Sequence, residues 1–236
     1  MESPINSPLV NTIMPAFNGE KYLAAALDSA TSQTYPAHEV IVIDDGSTDA
    51  TAHIVRQLFP EVRYCLHDHG GTAAARNRGV ELATGEFLAF LDQDDLWTGD
   101  KLAVQVATFQ ADPQLDIVFG HLQQFYSPDL DEDQRARMYC APMPIPGILT
   151  TTMMVRRNAF HRVGWFDSTW QLGEWSNWYL RAVEAGLKMQ VLREVLAYRR
   201  LHDGNKGVVQ RAALREYPRI LKASLDRRRQ LDLPDP

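Results

Sequence analysis

The chain has 236 residues, 45% of them hydrophobic and five of them Trp, enough to build a full core in one large or two small units. Its formal net charge of -6 argues against an affinity that rests on neutralising nucleic-acid phosphates. Cys65 and Cys140 match no metal or redox spacing, the start of the chain carries Glu2 and two prolines in place of a basic-then-apolar leader, and no apolar run nears the roughly 20 residues of a membrane span; a soluble, cytoplasmic chain in a reducing compartment is expected.

Short β-branched runs alternate with helical patterns through the first half, the rhythm of a parallel α/β sheet. Val10 to Pro15 reads as a strand, Asn18 as the cap of a helix whose apolar positions are Tyr22, Leu23, Ala26, Leu27 and Ala30, and Pro36 as its end. Val40 to Asp44 is a second strand, Ser47 caps a helix through Phe59, Val62 to Leu66 is a third strand, and Gly70 and Gly71 open the next helix. Glu86 to Leu91 is a fourth strand that runs straight into Asp92, Gln93, Asp94 and Asp95. Beyond it, Leu115 to Phe125 and Leu149 to Val155 have strand character, separated by an acidic, then proline-rich connection from Ser127 to Pro146 that is long enough to act as a lid. Asn158 to Val163, Trp175 to Ala185 and Val208 to Arg229 read as helices, with a strand from Met189 to Tyr198 before the last; the basic residues Arg211, Arg215, Arg219, Lys222, Arg227, Arg228 and Arg229 make that final helix a solvated face or a contact for an anionic surface.

In an open parallel sheet, ligands bind beyond the carboxyl ends of the strands, and three polar clusters fall there: Pro15 to Asn18, Asp44 to Ser47, and Asp92 to Asp95. Alternate residues leaving a strand share a side, so Asp92 and Asp94 can meet one cation; carboxylate oxygens suit Mg²⁺ or Mn²⁺, with coordination positions left for a diphosphate and water. Gly70, Gly71 and Thr72 open a helix whose amides favour phosphate, with Arg76 and Arg78 about one turn in.

The strings Ile13-Met14-Pro15-Ala16-Phe17-Asn18, Val42-Ile43-Asp44-Asp45-Gly46-Ser47-Thr48-Asp49, Ala75-Arg76-Asn77-Arg78-Gly79 and Phe90-Leu91-Asp92-Gln93-Asp94-Asp95-Leu96-Trp97 resemble the family 2 glycosyltransferases of the GT-A fold, and a looser likeness runs through Gly164-Trp165-Phe166-Asp167, Gly173-Glu174 and Arg199-Arg200-Leu201-His202 to Asn205. The resemblance implies a Rossmann-like α/β domain with a donor-binding half over residues 1–110 and an acceptor and catalytic-base half over 111–236. It also implies an inverting, metal-dependent transfer of a hexose-type sugar from a nucleotide-diphosphate donor, a UDP-sugar first, to a hydroxyl of a carbohydrate, lipid-linked or peptide acceptor. Pro15, Phe17 and Asn18 would line the nucleotide pocket, Asp44 would accept from the uracil ring, and Arg76 would lie near the base or diphosphate. Asp92 would face the ribose and the Mn²⁺ or Mg²⁺, Asp94 would ligate that ion, and His202 would approach it from the opposite side.

One departure stands out. Members of the family commonly show Gly-Glu-Asp and a second Asp two residues on, one acid of which is the base; this segment reads Gly173-Glu174-Trp175-Ser176-Asn177-Trp178, and an amide takes no proton at neutral pH. Glu174 is the base that remains, with Asp167 second. The same departure admits a noncatalytic sugar-nucleotide binder as the alternative, whereas a phosphotransferase is disfavoured because the Asp-x-Asp follows the fourth strand, not the first, and no Gly-Lys-Ser/Thr is present. Trp170 or Trp175 would stack on an acceptor if not simply buried.

Overall fold

Residues 7–36, 38–209 and 211–230 are described by the computed structural model, so Glu2 and the start of the chain lie outside it. Strands β1 (Val10–Ala16), β2 (His38–Asp44), β3 (Arg63–Leu66) and β4 (Phe87–Phe90) run parallel and are joined by helices α1 (Leu23–Thr31), α2 (Thr51–Leu58) and α3 (Gly71–Leu82). Parallel neighbours cannot be joined by a tight turn, and the helical crossovers are what the alternating sequence supplies. Period-two alternation sends adjacent side chains to opposite faces. Met14, Val42 and Phe87 pack with Leu23, Leu27 and Val55 on one side, whereas Ile13, Ile41 and Leu88 pack with Val80, Phe160 and Trp178 on the other. Gly79 lets α3 press onto β1, since a Cβ there would stand 2.3 Å from Ile13 Cγ2.

The remaining described elements are β5 (Leu96–Trp97), α4 (Lys101–Ala111), β6 (Ile117–Tyr126), α5 (Glu132–Ala136), β7 (Ile145–Pro146), β8 (Met154–Arg156), α6 (Arg157–Val163), α7 (Glu174–Glu184), β9 (Met189–Leu201), α8 (Lys206–Val209) and α9 (Glu216–Gln230). The strand order is β3-β2-β1-β4-β8-β6-β9-β5, with β7 attached to β6. The sheet is parallel through its first four strands and mixed beyond: β8 is antiparallel to β4 and β6, while β9 runs parallel to β6. No described helix is long and apolar enough to cross a membrane.

Several local expectations are corrected. Asn18 caps no helix: it sits in the left-handed region at φ 48°, and α1 begins only at Leu23 with no side-chain cap. Ser47 likewise lies ahead of α2, which starts at Thr51. Leu149 to Val155 is a 3-10 turn (Thr150–Thr152) followed by the short β8, because Thr152 turns its hydroxyl back onto the Gly147 and Leu149 carbonyls. The single helix expected from Val208 to Arg229 is broken into α8, a 3-10 turn at Arg211–Arg215 and α9; position 210 and the Arg211 side chain lie outside the described residues. The Ser127 to Pro146 connection is partly ordered, since α5 carries a capping box from Asp131 and Gln134 and β7 pairs with β6.

Lys101 is fully buried at the start of α4, its Nζ 2.7 Å from Gln105 Oε1 and 4.1 Å from the Trp97 ring centre. Burial holds its amine well below the usual lysine range. The unfolded chain therefore keeps this proton to higher pH than the folded one, so folding stability rises with pH between the depressed folded value and about 10.4, by at most about 1.4 kcal/mol per pH unit. Urea unfolding at a series of alkaline pH values should show this rise in the parent and a flatter curve in Lys101→Met; parallel curves would mean that Lys101 titrates alike in both states.

Candidate active site

The carboxyl ends of β1, β2 and β4 deliver three loops to one edge and sew them together. Asp45 N donates to the Ala16 carbonyl at 2.8 Å, and Leu91 N to that of Ile13 at 3.1 Å. Asn18 N donates to Ser47 Oγ at 2.9 Å, and Asn18 Oδ1 accepts from Thr48 N at 2.8 Å, so both residues that fail to cap helices bind each other's loop instead. Gln93 grips Phe17 from both sides, its Oε1 accepting from Phe17 N at 2.8 Å and its Nε2 donating to Phe17 O at 3.1 Å. Phe17 and Asn18 are exposed at this edge; Pro15 is buried inside β1.

Arg76 is the hub. It lies in α3 and is 3% exposed, its Nη2 2.6 Å from Asp92 Oδ1 and its Nη1 3.0 Å from Glu174 Oε1, with Thr150 Oγ1 3.2 Å from Nη2. Despite burial, the two carboxylates hold the guanidinium above its ordinary range, so it stays a cation. Glu174 is the first residue of α7, entered through Gly173 at φ 92°, and is buried with Oε1 committed to Arg76. Arg78, by contrast, is half-buried and pairs with Glu81 on its own helix.

A second carboxylate group sits beside this hub. Asp94 Oδ2 is 2.8 Å from His202 Nε2 and 3.5 Å from Asn205 Nδ2, and Arg200 Nε donates to the Asp94 carbonyl at 3.0 Å. Asp95 turns inward and accepts from Arg200 N at 2.9 Å; burial first, then the charges of Asp94 and Asp92, push its carboxyl well above the usual range. The end of β9 is thus bound to the end of β4, and this brings His202 to Asp94. Among the described residues, no three His, Cys, Asp or Glu side chains are grouped as a metal cage. Asp94 and His202, a carboxylate oxygen and an imidazole nitrogen 2.8 Å apart, are nevertheless of the donor chemistry that would suit a Mn²⁺ or Mg²⁺ ion.

The other expected residues are engaged within the protein. Asp44 is completely buried, with Oδ1 accepting from Ser47 N at 2.8 Å and Oδ2 from the Tyr64 hydroxyl at 2.6 Å. Two amides at the opening of α3 are not free for phosphate: Gly70 N and Gly71 N donate to the Asp45 carboxylate at 2.9 and 2.8 Å. Asp167 accepts from Thr169 N and Oγ1 in its own turn, and Asn177 accepts from Arg181. Trp178 is fully buried against Phe160, Trp175 donates to the Ile148 carbonyl, and Trp165 is the more exposed ring. Asp45 and Gln93 fall within the polar clusters of the sequence but were given no role of their own, and Thr150 and Lys206 were not singled out; Lys206 Nζ donates to Thr72 Oγ1 across the opening of α3. For Lys206 the late Arg199 to Asn205 likeness ends one residue short; for Thr150 no local signal existed.

Residues 12–170 match the family described as Glycosyl transferase family 2, more than half of the chain. The chain belongs to family 2 of the glycosyltransferases. Over 92% of its length it is 29% identical to an uncharacterized glycosyltransferase, alr2836, of Nostoc sp. PCC 7120, covering 72% of that protein, and 27% identical to another, RT0329, of Rickettsia typhi, covering 71%. The fold is that of GT-A structures. S. aureus TarS 1–349 in complex with UDP-GlcNAc superimposes with a TM-score of 0.66 at 23% identity over 84% of this chain. The mannosyltransferase PcManGT of Pyrobaculum calidifontis, in complex with GDP-Man and Mn²⁺, superimposes with a TM-score of 0.64 at 25% identity over 86%. The chain spans about 60% of the length of each of these two solved proteins.

Proposed function

We propose that the chain transfers a sugar, with inversion, from a UDP-sugar-type donor to an acceptor hydroxyl, assisted by a divalent cation. The observation that carries this reading is the convergence of Asp92, Asp94, His202, Arg76 and Glu174, from four separate elements, on one sheet edge. Phe17 and Asn18 line the nucleotide side, with Pro15 shaping the turn behind them and Asp44 holding the β2 turn through Ser47. Asp94 and His202, with Asp92 beside them, would hold the Mn²⁺ or Mg²⁺. When bound, that ion supplies positive charge at the departing diphosphate oxygen. Residues up to about 110 hold the donor, and those after 111 the acceptor.

The transfer is a single displacement. The Glu174 Oε2 that Arg76 leaves uncommitted takes the proton from the acceptor hydroxyl as its oxygen bonds to the anomeric carbon, while the bond to the diphosphate breaks on the opposite face. Arg76 fixes the orientation of Glu174 and, through the same guanidinium, that of Asp92. The acceptor is a carbohydrate, lipid-linked or peptide hydroxyl. Exposed Leu214, Tyr217 and Leu221 lie among the exposed bases Arg219, Lys222 and Arg229 on the α9 side, the pattern of a face for an anionic membrane surface, which co-sedimentation with anionic vesicles tests.

Because a ligand that binds only the native state raises apparent stability, thermal melting with UDP, GDP, UDP-sugars and GDP-sugars, each with and without Mn²⁺, tests the donor class. Nucleotide- and Mn²⁺-dependent stabilisation of at least several degrees is expected for one set. An unchanged melting temperature with every nucleotide would overturn the reading.

A further inference from the structure

The residue that the family likeness assigns to the nucleobase, Asp44, is buried and already engaged. It is 0% exposed, and its two oxygens are taken by Ser47 N and the Tyr64 hydroxyl. Burial, and after it the bond to Asp44, push the Tyr64 phenol up to about 12, so this hydroxyl keeps its proton and keeps donating. A nucleobase docking on this edge needs its acceptor elsewhere.

His69 supplies one. Its side chain is 63% exposed at the same edge, with its ring centre 4.5 Å from that of Phe17 and the two planes 39° apart. Nδ1 lies 2.9 Å from the Asp45 carbonyl oxygen and 3.1 Å from Asp45 Oδ2. Both of those atoms only accept, so Nδ1 must carry the hydrogen, and in the neutral ring Nε2 is then a bare acceptor. No described residue donates to Nε2. The orientation is fixed from behind, because Asp45 is itself held by Gly70 N, Gly71 N and His67 Nδ1 at 2.9, 2.8 and 3.0 Å. This edge therefore presents an aromatic ring, Phe17, beside an acceptor whose tautomer is set by Asp45.

Resting on the reading of this edge as a nucleotide-sugar site, we infer that His69 determines base specificity by accepting a hydrogen bond at Nε2 from the ring N–H of the nucleobase. Uracil and guanine carry such an N–H, whereas cytosine and adenine have a bare nitrogen there that would face the Nε2 lone pair. The chain is thereby selective for uridine or guanosine diphosphates over cytidine or adenosine diphosphates.

Calorimetric titration with UDP, GDP, CDP and N3-methyl-UDP tests this. The unmodified chain should bind UDP or GDP about 10-fold tighter than CDP, the scale of one neutral hydrogen bond, and N3-methyl-UDP about 10-fold more weakly than UDP. His69→Phe keeps the aromatic surface and removes the acceptor; it should lose about 10-fold for the preferred nucleotide and nothing for CDP. His69→Gln, which restores a carbonyl acceptor, should recover part of the preference. Equal binding of UDP, CDP and N3-methyl-UDP by the unmodified chain overturns the inference, as does a His69→Phe variant that weakens all nucleotides alike, which would mark His69 as a stacking residue only. Failure of every nucleotide to bind would instead remove the donor-site reading itself.

Discussion

Asp94→Ala is expected to lower turnover about 10³-fold and to erase the difference between nucleotide affinities measured with and without Mn²⁺, while leaving metal-free nucleotide binding close to that of the parent chain. The size follows from removing a charged group that acts on the departing diphosphate, where single donors are typically worth 10² to 10³ in kcat and a bound metal ion several kcal/mol. The selectivity follows from geometry. Asp94 makes contacts to His202, Asn205 and Arg200, all at the end of β9, and none to the Phe17 and His69 side of the pocket. Calorimetry with a nucleoside diphosphate, with and without Mn²⁺, separates the two effects, and an Asp94→Ala variant with its Mn²⁺ dependence intact would move the metal to other ligands. Folding should survive, because the inward-facing partner of Arg200 N is Asp95.

The second large effect is expected at Glu174. Glu174→Gln keeps the shape and can still accept from Arg76 Nη1, so donor affinity should stay within about threefold of the parent. The amide takes no proton, and kcat should fall by about 10² to 10⁴. Single-turnover rates at saturating donor report the chemical step directly. A normal rate in this variant would place the base elsewhere. Asp167 is then a poor second choice, since its hydrogen bonds from Thr169 close its own turn and none reaches Arg76 or Asp92.

The strands and their carboxyl ends were legible in the sequence because they depend on local pattern: continuous apolar runs such as Val40 to Asp44 are buried on both faces whatever lies next to them. Asn18 and Ser47 were misread because a short polar side chain at a loop can cap its own helix or bind another loop, and only the packing of β1 against β2 decides which. The Thr150 to Thr152 segment has strand propensity by composition, yet the Thr152 hydroxyl bonds back to the Gly147 and Leu149 carbonyls and the segment curls into a turn. The chemistry at the site was legible residue by residue and not in its pairings. Arg76 and Glu174 are 98 positions apart and Asp94 and His202 are 108 apart, so no spacing rule could announce that one guanidinium binds two acids or that the histidine meets the second aspartate of the pair. Asp44 shows the limit of carry-over by motif: it ends β2 as expected, but it is fully buried and Tyr64, on the neighbouring strand, already donates to it.

That Arg76 is shared between an acid from the first half and one from the second has a bearing on how such chains can be recombined. A hybrid that joins the first 110 residues of this protein to the later part of a relative would keep a buried cation designed for two counter-charges while changing one of them. If the incoming segment offered no acid at the start of its helix, the guanidinium would be left half neutralised in a closed interior, a defect of the kind that costs about 3 to 5 kcal/mol. The compatibility of such a hybrid would therefore turn on whether the incoming segment brings Arg76 an acid in place of Glu174.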